Sequence, residues 1–196
     1  MSLTIWKIFG FVFTGLVGTL LHFLYEWSNN SVVISLFSAV NESIWEHMKL
    51  LFFPMFIFSL IEYKFIGSNY KNFWGMKLIG TVLSLCLIPI IYYTYTAVLG
   101  RNIDWFNILI FFLAVAVSFL IEVYLFKNKS DLFSSQIAFM LFCLIALVFF
   151  VLTFLTPRLP IFKDPVTPQR DVTGSPDGTL QPEQRLPEDL CDSSGH

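Results

Sequence analysis

The sequence predicts an all-α integral membrane protein. The expected body is a bundle of about five transmembrane helices, with a short interfacial helix between the first two and a disordered C-terminal tail. Three observations carry this reading. The 196 residues are 56% hydrophobic and only 13% charged, where soluble domains carry about 25% charged residues. Five apolar segments reach the length of about 20 helical residues that a bilayer requires. Trp6, Trp27, Trp45, Trp74 and Trp105 fall near the ends of those segments, where interfacial aromatics gather.

The first span is Ile5–Trp27. It holds one early lysine, Lys7, and lacks a small-residue cleavage site, so it reads as an uncleaved helix. The stretch SNNSVVISLFSAV that follows is too short to cross and is expected as an interfacial or re-entrant helix. The second span is Ser43–Lys64, in which Pro54 should kink the helix and deprive the Leu50 carbonyl of its partner. The third is Phe73–Leu99, followed by a loop with Arg101, Asn102 and Asp104. The fourth, Trp105–Phe126, ends in SFLIEVYLF, which echoes FSLIEYKF at the end of the second. Glu62 and Glu122 in those endings read as interfacial carboxylates near Lys64 and Lys127. The fifth span is Leu132–Thr156.

The transmembrane domain is expected over 1–167. From Pro168 the composition changes to Pro, Gly, Gln and acidic residues, and every aromatic residue lies before that point. A segment of this kind cannot bury enough apolar surface to offset its ordering entropy. Residues 168–196 are therefore expected as a disordered tail, and the abrupt change leaves open both a natural tail and one of an origin different from that of the body. Cys86 and Cys143 lie in apolar runs and read as small hydrophobes, with no disulfide framework. Lys7, Lys64, Lys71, Lys77, Lys127 and Lys129 lie on one side, against Lys49, Arg101, Arg158 and Lys163 on the other, with Arg170 and Arg185 in the tail beyond them. The bias predicts a cell-membrane protein with a cytoplasmic N-terminus and an external C-terminus. Oligomeric state is not legible.

One stretch resists the apolar pattern: VNESIWEHMK (Val40 to Lys49). Between Lys49 and Glu62 lie 12 uncharged residues, about 18 Å of helix. A hydrocarbon core of about 30 Å is not crossed by that length, so Glu46, His47 and Lys49 are drawn into the membrane or to its boundary. Four residues separate His22 from Glu26, which places them on one helical face. Because consecutive spans run antiparallel, His22, Glu26, Glu42, Glu46 and His47 come to one level.

Ionisable groups cost about 2.5–3.5 kcal/mol each in a membrane and usually face the bundle interior. Two imidazoles and three carboxylates are ligand types for zinc, iron or manganese. The candidate ligands are His22, Glu26, Glu46 and His47, with Glu42 and Glu46 as candidate catalytic carboxylates, Glu42 being the base that activates a metal-bound water. Asn41, Lys49 and Arg158 are candidates for contact with substrate, including an anionic lipid headgroup. A structural reading of the same residues has Asn41 or Ser43 capping the second span, His22 pairing with Glu46, and Lys49 snorkelling to the headgroups.

The stretches GTLLHFLYEW, NESIWEHMKLLFFP and LPIFKDPVT resemble an uncharacterised bacterial family of small multi-pass membrane proteins. That resemblance implies a compact membrane domain and no activity. The residues Asn41-Glu42 and Ile44 to Met48 are also similar to a stretch of the alkaline ceramidase and adiponectin-receptor group. The second likeness implies zinc-dependent hydrolysis, although that group has seven spans and a His-x-x-x-His pair that has no counterpart here. No nucleotide loop, nucleophile elbow, HExxH or nucleic-acid motif is present. The functions in view are a metal-dependent hydrolase of a lipid or amphiphile, a small cation- or proton-coupled transporter or its subunit, and a non-catalytic scaffold.

Overall fold

A computed structural model describes residues 2–129 and 134–165 of the chain. The tail expected from Pro168 onward lies outside the described residues, as does Leu132, the expected start of the fifth span. Among the described residues there is no strand. Five helices are long and apolar enough to cross a membrane: α1 (Leu3–Trp27), α3 (Ile44–Ile66), α4 (Phe73–Leu99), α5 (Asp104–Lys127) and α6 (Ser135–Phe154). The segment expected as a short interfacial helix forms α2 (Val32–Ser35), with Val32 and Val33 exposed.

Local signals set these boundaries. Ser2 caps α1 by accepting from the Ile5 N–H at 3.4 Å, and Ser43 caps α3 by accepting from the Glu46 N–H at 3.4 Å, each satisfying an orphan donor. Helix α4 ends at Gly100 in the left-handed region, φ 66°, the common C-terminal stop for a helix.

Helix α3 is the hub. Over its most apolar stretch 56% of residues are buried, against 22% for α1, α4 and α6, so the other helices present one face to lipid while α3 is largely enclosed. It packs on α1 at one side and on α4 and α6 at the other. The α3–α6 seam is aromatic: Phe53 stacks on Phe150 at 5.2 Å and Phe56 on Phe142 at 5.5 Å. Pro54 sits inside α3 and has no N–H to offer the Leu50 carbonyl. That carbonyl faces α1 at Gly18, where a Cβ would come within 2.7 Å of it. The glycine is thus the residue type that lets the two helices meet at the proline.

At the opposite end the helices are locked by charge. Lys7 (α1) lies 2.7 Å from Glu62 (α3) and 2.8 Å from Glu122 (α5), and Lys77 (α4) lies 3.1 Å from Glu62 and 2.8 Å from Glu122. The four form a closed ring of alternating sign, with both carboxylates fully buried. This corrects the reading of Glu62 and Glu122 as interfacial partners of Lys64 and Lys127. A carboxylate one or two turns inside a helix end meets the interior when two neighbouring helices each supply an ammonium at the same level. The Lys7 ammonium also stands over the Phe126 ring at 3.9 Å, a cation–π contact that suits a desolvated cation.

Candidate functional site

The site begins where the α2–α3 loop is tied to α1. The Ser38 hydroxyl donates to the Leu21 carbonyl and accepts from the Tyr25 N–H, which fixes the loop against the last turns of α1. Asn41 then accepts from the Ser43 N–H at 3.0 Å through its side chain, a local turn of the kind asparagine favours. The cap at Ser43 follows. Glu42, between these two anchors, is held beside His22, and His47 follows one turn into α3.

His47 Nδ1 is 2.9 Å from the Ser43 carbonyl. A carbonyl only accepts, so Nδ1 carries the proton, and the nitrogen that can serve as a ligand atom is Nε2. That nitrogen faces Glu42 Oε2 at 3.6 Å, while His22 Nε2 faces Glu42 Oε1 at 3.6 Å. The side chains are 24% (His47), 28% (His22) and 47% (Glu42) exposed. The ligand atoms of all three lie within 4.8 Å of one another. The separations of 3.6 Å exceed the about 3.2 Å upper limit for an N–H···O bond. They are close to the about 3.4 Å edge of a tetrahedron built on bonds of 2.0–2.1 Å. The backbone bond at His47 Nδ1 is the support that metal-ligating histidines use.

These three residues line one end of a cleft of about 440 Å³ between α1 and α5, floored by His47 and Leu50 of α3. Phe23, Ile108, Phe111 and Phe112 give it apolar walls, and Asp104 and Asn107 add polar groups from the first turn of α5. The Tyr95 hydroxyl fixes Asn107, lying 2.5 Å from Asn107 Oδ1 and 2.9 Å from Asn102 Oδ1. A void of about 30 Å³ behind Glu42 and His47, bordered by Tyr92 and Asn107, has room for a water molecule.

The other expected site residues are placed differently. Glu26 is exposed one turn beyond His22 and is not part of the three-residue cluster. Glu46 is 5% exposed, pairs with Lys49 at 2.6 Å and accepts from the Val40 N–H at 2.9 Å. Lys49 is fully buried. It does not snorkel but donates to the Ser35 carbonyl at 2.9 Å and to Thr153 at 3.1 Å, joining α3 to α2 and α6. The sequence gives His22 Glu46 as partner; the structure gives it Glu42. Asn41 is exposed and turned to its own loop, and Arg158 is exposed after α6. Asn107 was not singled out from sequence, although it follows Asp104 by three residues and so shares its helical face.

No curated protein and no solved structure matches the chain. Residues 1–172 match the family of unknown function DUF6512, and since that match spans most of the 196 residues, the chain belongs to this family.

Proposed function

We propose that this membrane protein is a metal-dependent hydrolase of a lipid or similar amphiphile, with His22, Glu42 and His47 holding a divalent zinc, iron or manganese ion. The observation that carries the reading is the convergence of three ligand atoms within 4.8 Å at the end of a cleft with apolar walls. Structural metal sites are usually closed by four protein ligands, whereas catalytic ones keep a position open for water or substrate. Three ligands facing a cleft fit the second description. The likeness of the NESIWEHM stretch to zinc-dependent membrane hydrolases supports the same chemistry.

A bound divalent ion would supply Lewis acidity and a water of lowered pKa. The chain supplies the rest. On this reading Glu42 is a ligand, and the base role passes to Asp104, whose carboxylate lines the same cleft. Asp104 takes the proton of the attacking water, the water oxygen joins the acyl carbon, and the proton goes to the leaving oxygen or nitrogen as its bond to that carbon breaks. Asn107, fixed by Tyr95, positions the carbonyl. Glu46 and Lys49 hold the start of α3 in place through their buried pair.

Elemental analysis of the purified full chain tests this. Wild type should carry close to one equivalent of metal, which His47→Ala and His22→Ala lose while Glu46→Gln retains it. Wild type that is folded and free of metal would sink the reading. The transporter and scaffold readings predict that metal-free result.

A further inference from the structure

We propose that the cleft takes the acyl chain of a lipid from the surrounding leaflet, entering sideways between α1 and α5. The chain would lie in a groove that runs along α1 beside Phe112. The inference rests on the hydrolase reading for the bond that is cut, and on the groove alone for the chain that is bound. It narrows the substrate to an acyl ester or amide whose carbonyl sits at the root of a membrane-embedded chain.

Continuity is the first argument. A second cavity of about 570 Å³ lies along α1 and shares Thr19, Phe23 and Phe112 with the site cleft. At this junction the Thr19 hydroxyl is already used, donating to the Gly15 carbonyl at 2.8 Å, so the passage offers its hydrogen-bonding donor to the helix and not to water. Beyond it the wall is apolar down to Phe11.

Length is the second. The groove is lined from Phe11 to Trp27; the part below its junction with the site cleft, from Phe23 to Phe11, is about 18 Å of helix, close to the about 15 Å of hydrocarbon in one leaflet. His22 lies five residues inside the end of α1 at Trp27, which is about 7.5 Å. A chain filling the groove therefore brings its carbonyl end to the His22 side of the cleft.

Shape is the third. A Cβ at Gly15 would stand 3.0 Å from the Phe112 ring, so this buried glycine lets the ring close on α1 as the inner wall of the groove. Val12, Leu16 and Leu20 beside it are exposed, and in a membrane they meet lipid.

The test uses the full chain in phosphatidylcholine vesicles with a trace of phosphatidylcholine bearing a diazirine next to the acyl carbonyl. After irradiation, labelled residues are mapped by mass spectrometry. Label should concentrate at Thr19, His22 and Phe111, about tenfold above Phe154 and Leu155, as expected when several methylenes are bound in a groove and not merely solvated by lipid. Phe154 and Leu155 are exposed at the same end of the bundle. Thr19→Trp, at an exposed junction position, and Gly15→Leu should each return labelling to that background, while Leu147→Trp, exposed on α6, should not. Even labelling of all exposed residues, or insensitivity to both groove variants, would overturn the proposal. Absence of label from Leu16 and Leu20, exposed on this face, in a chain that light scattering shows to be a dimer would also overturn it, by assigning the groove to a second copy. Focused label on a chain that binds no metal would support the groove and remove the hydrolase reading; bound metal with even labelling would do the reverse.

Discussion

Glu62→Gln should be among the most damaging single substitutions in this protein, and the ring geometry sets its size. Glu62 is fully buried and contacts Lys7 at 2.7 Å and Lys77 at 3.1 Å. Removing its charge leaves two ammonium groups sharing one carboxylate, Glu122, at 2.8 Å from each. Breaking a buried pair on one side costs about 3–5 kcal/mol, because a buried charge is left without compensation. Insertion scales give a similar figure for one unneutralised charge in a membrane, about 2.5–3.5 kcal/mol. The double variant Lys7→Met/Glu62→Gln restores neutrality and keeps the Lys77–Glu122 pair. It should recover most of the loss, since replacing a whole buried pair is often close to neutral. Reversible unfolding in mixed detergent micelles, followed by the fluorescence of Trp6, measures wild type and both variants. Trp6 is buried one residue before Lys7 and packs on Phe65 at 5.2 Å. A single-variant cost below about 1 kcal/mol, typical of an exposed pair, would refute the buried ring. So would a double variant no more stable than the single.

Two smaller perturbations test other parts of the bundle. Gly18→Ala puts a Cβ 2.6 Å from the Phe111 ring and 2.7 Å from the Leu50 carbonyl; the backbone atom cannot give way, so a loss of about 1–3 kcal/mol is expected from overpacking, read by the same unfolding assay. No change in midpoint would mean that α1 does not approach the α3 proline this closely. Ser43→Ala removes the α3 cap at Glu46 N–H and should cost about 1 kcal/mol, while His47 keeps its bond to the Ser43 carbonyl. Metal content should therefore be unchanged by Ser43→Ala, and its loss would show that the cap and the site are coupled.

The spans were legible because hydropathy is written in composition: four of the five predicted segments agree with the observed helices to within two residues at either end, and the fifth, whose expected start lies outside the described residues, ends within two residues of α6. Side-chain pairing was less legible, because partners on separate helices are fixed by packing. The antiparallel rule that grouped His22 with Glu42 and His47 also puts Lys7, Glu62, Lys77 and Glu122 at one level, and applying it at that end points to the ring. What it leaves open is rotation about each helix axis. Glu46 and Glu42 sit four residues apart, yet Glu42 lies one residue before the Ser43 cap, where helical spacing no longer applies. Glu46 is inside the helix and three residues from Lys49, so the two close on each other. The lysine count used to orient the chain is weakened by the same packing. Lys7, Lys77 and Lys49 neutralise buried carboxylates and add little charge at either membrane surface.

The two ends of the bundle use similar side chains to different ends, and pairing is what separates them. In the ring each carboxylate has two ammonium neighbours within 3.1 Å, and every formal charge is answered. In the Glu46–Lys49 pair the ammonium reaches a carboxylate at 2.6 Å and two further acceptors. At His22, Glu42 and His47 the two imidazoles each face the carboxylate at 3.6 Å, and among the described residues Glu42 has ion pairs to these histidines and to no lysine or arginine. The carboxylate and two imidazoles are held at this distance by a cap on one side and a loop tied to α1 on the other, and in the proposed metal reading that is the spacing a shared ion would use. The rigid charge pairs serve that spacing: Lys49 and Glu46 fix the start of α3, and the ring fixes the far ends of α1 and α3, so the short loop that carries Glu42 is positioned by two helices that cannot easily slide.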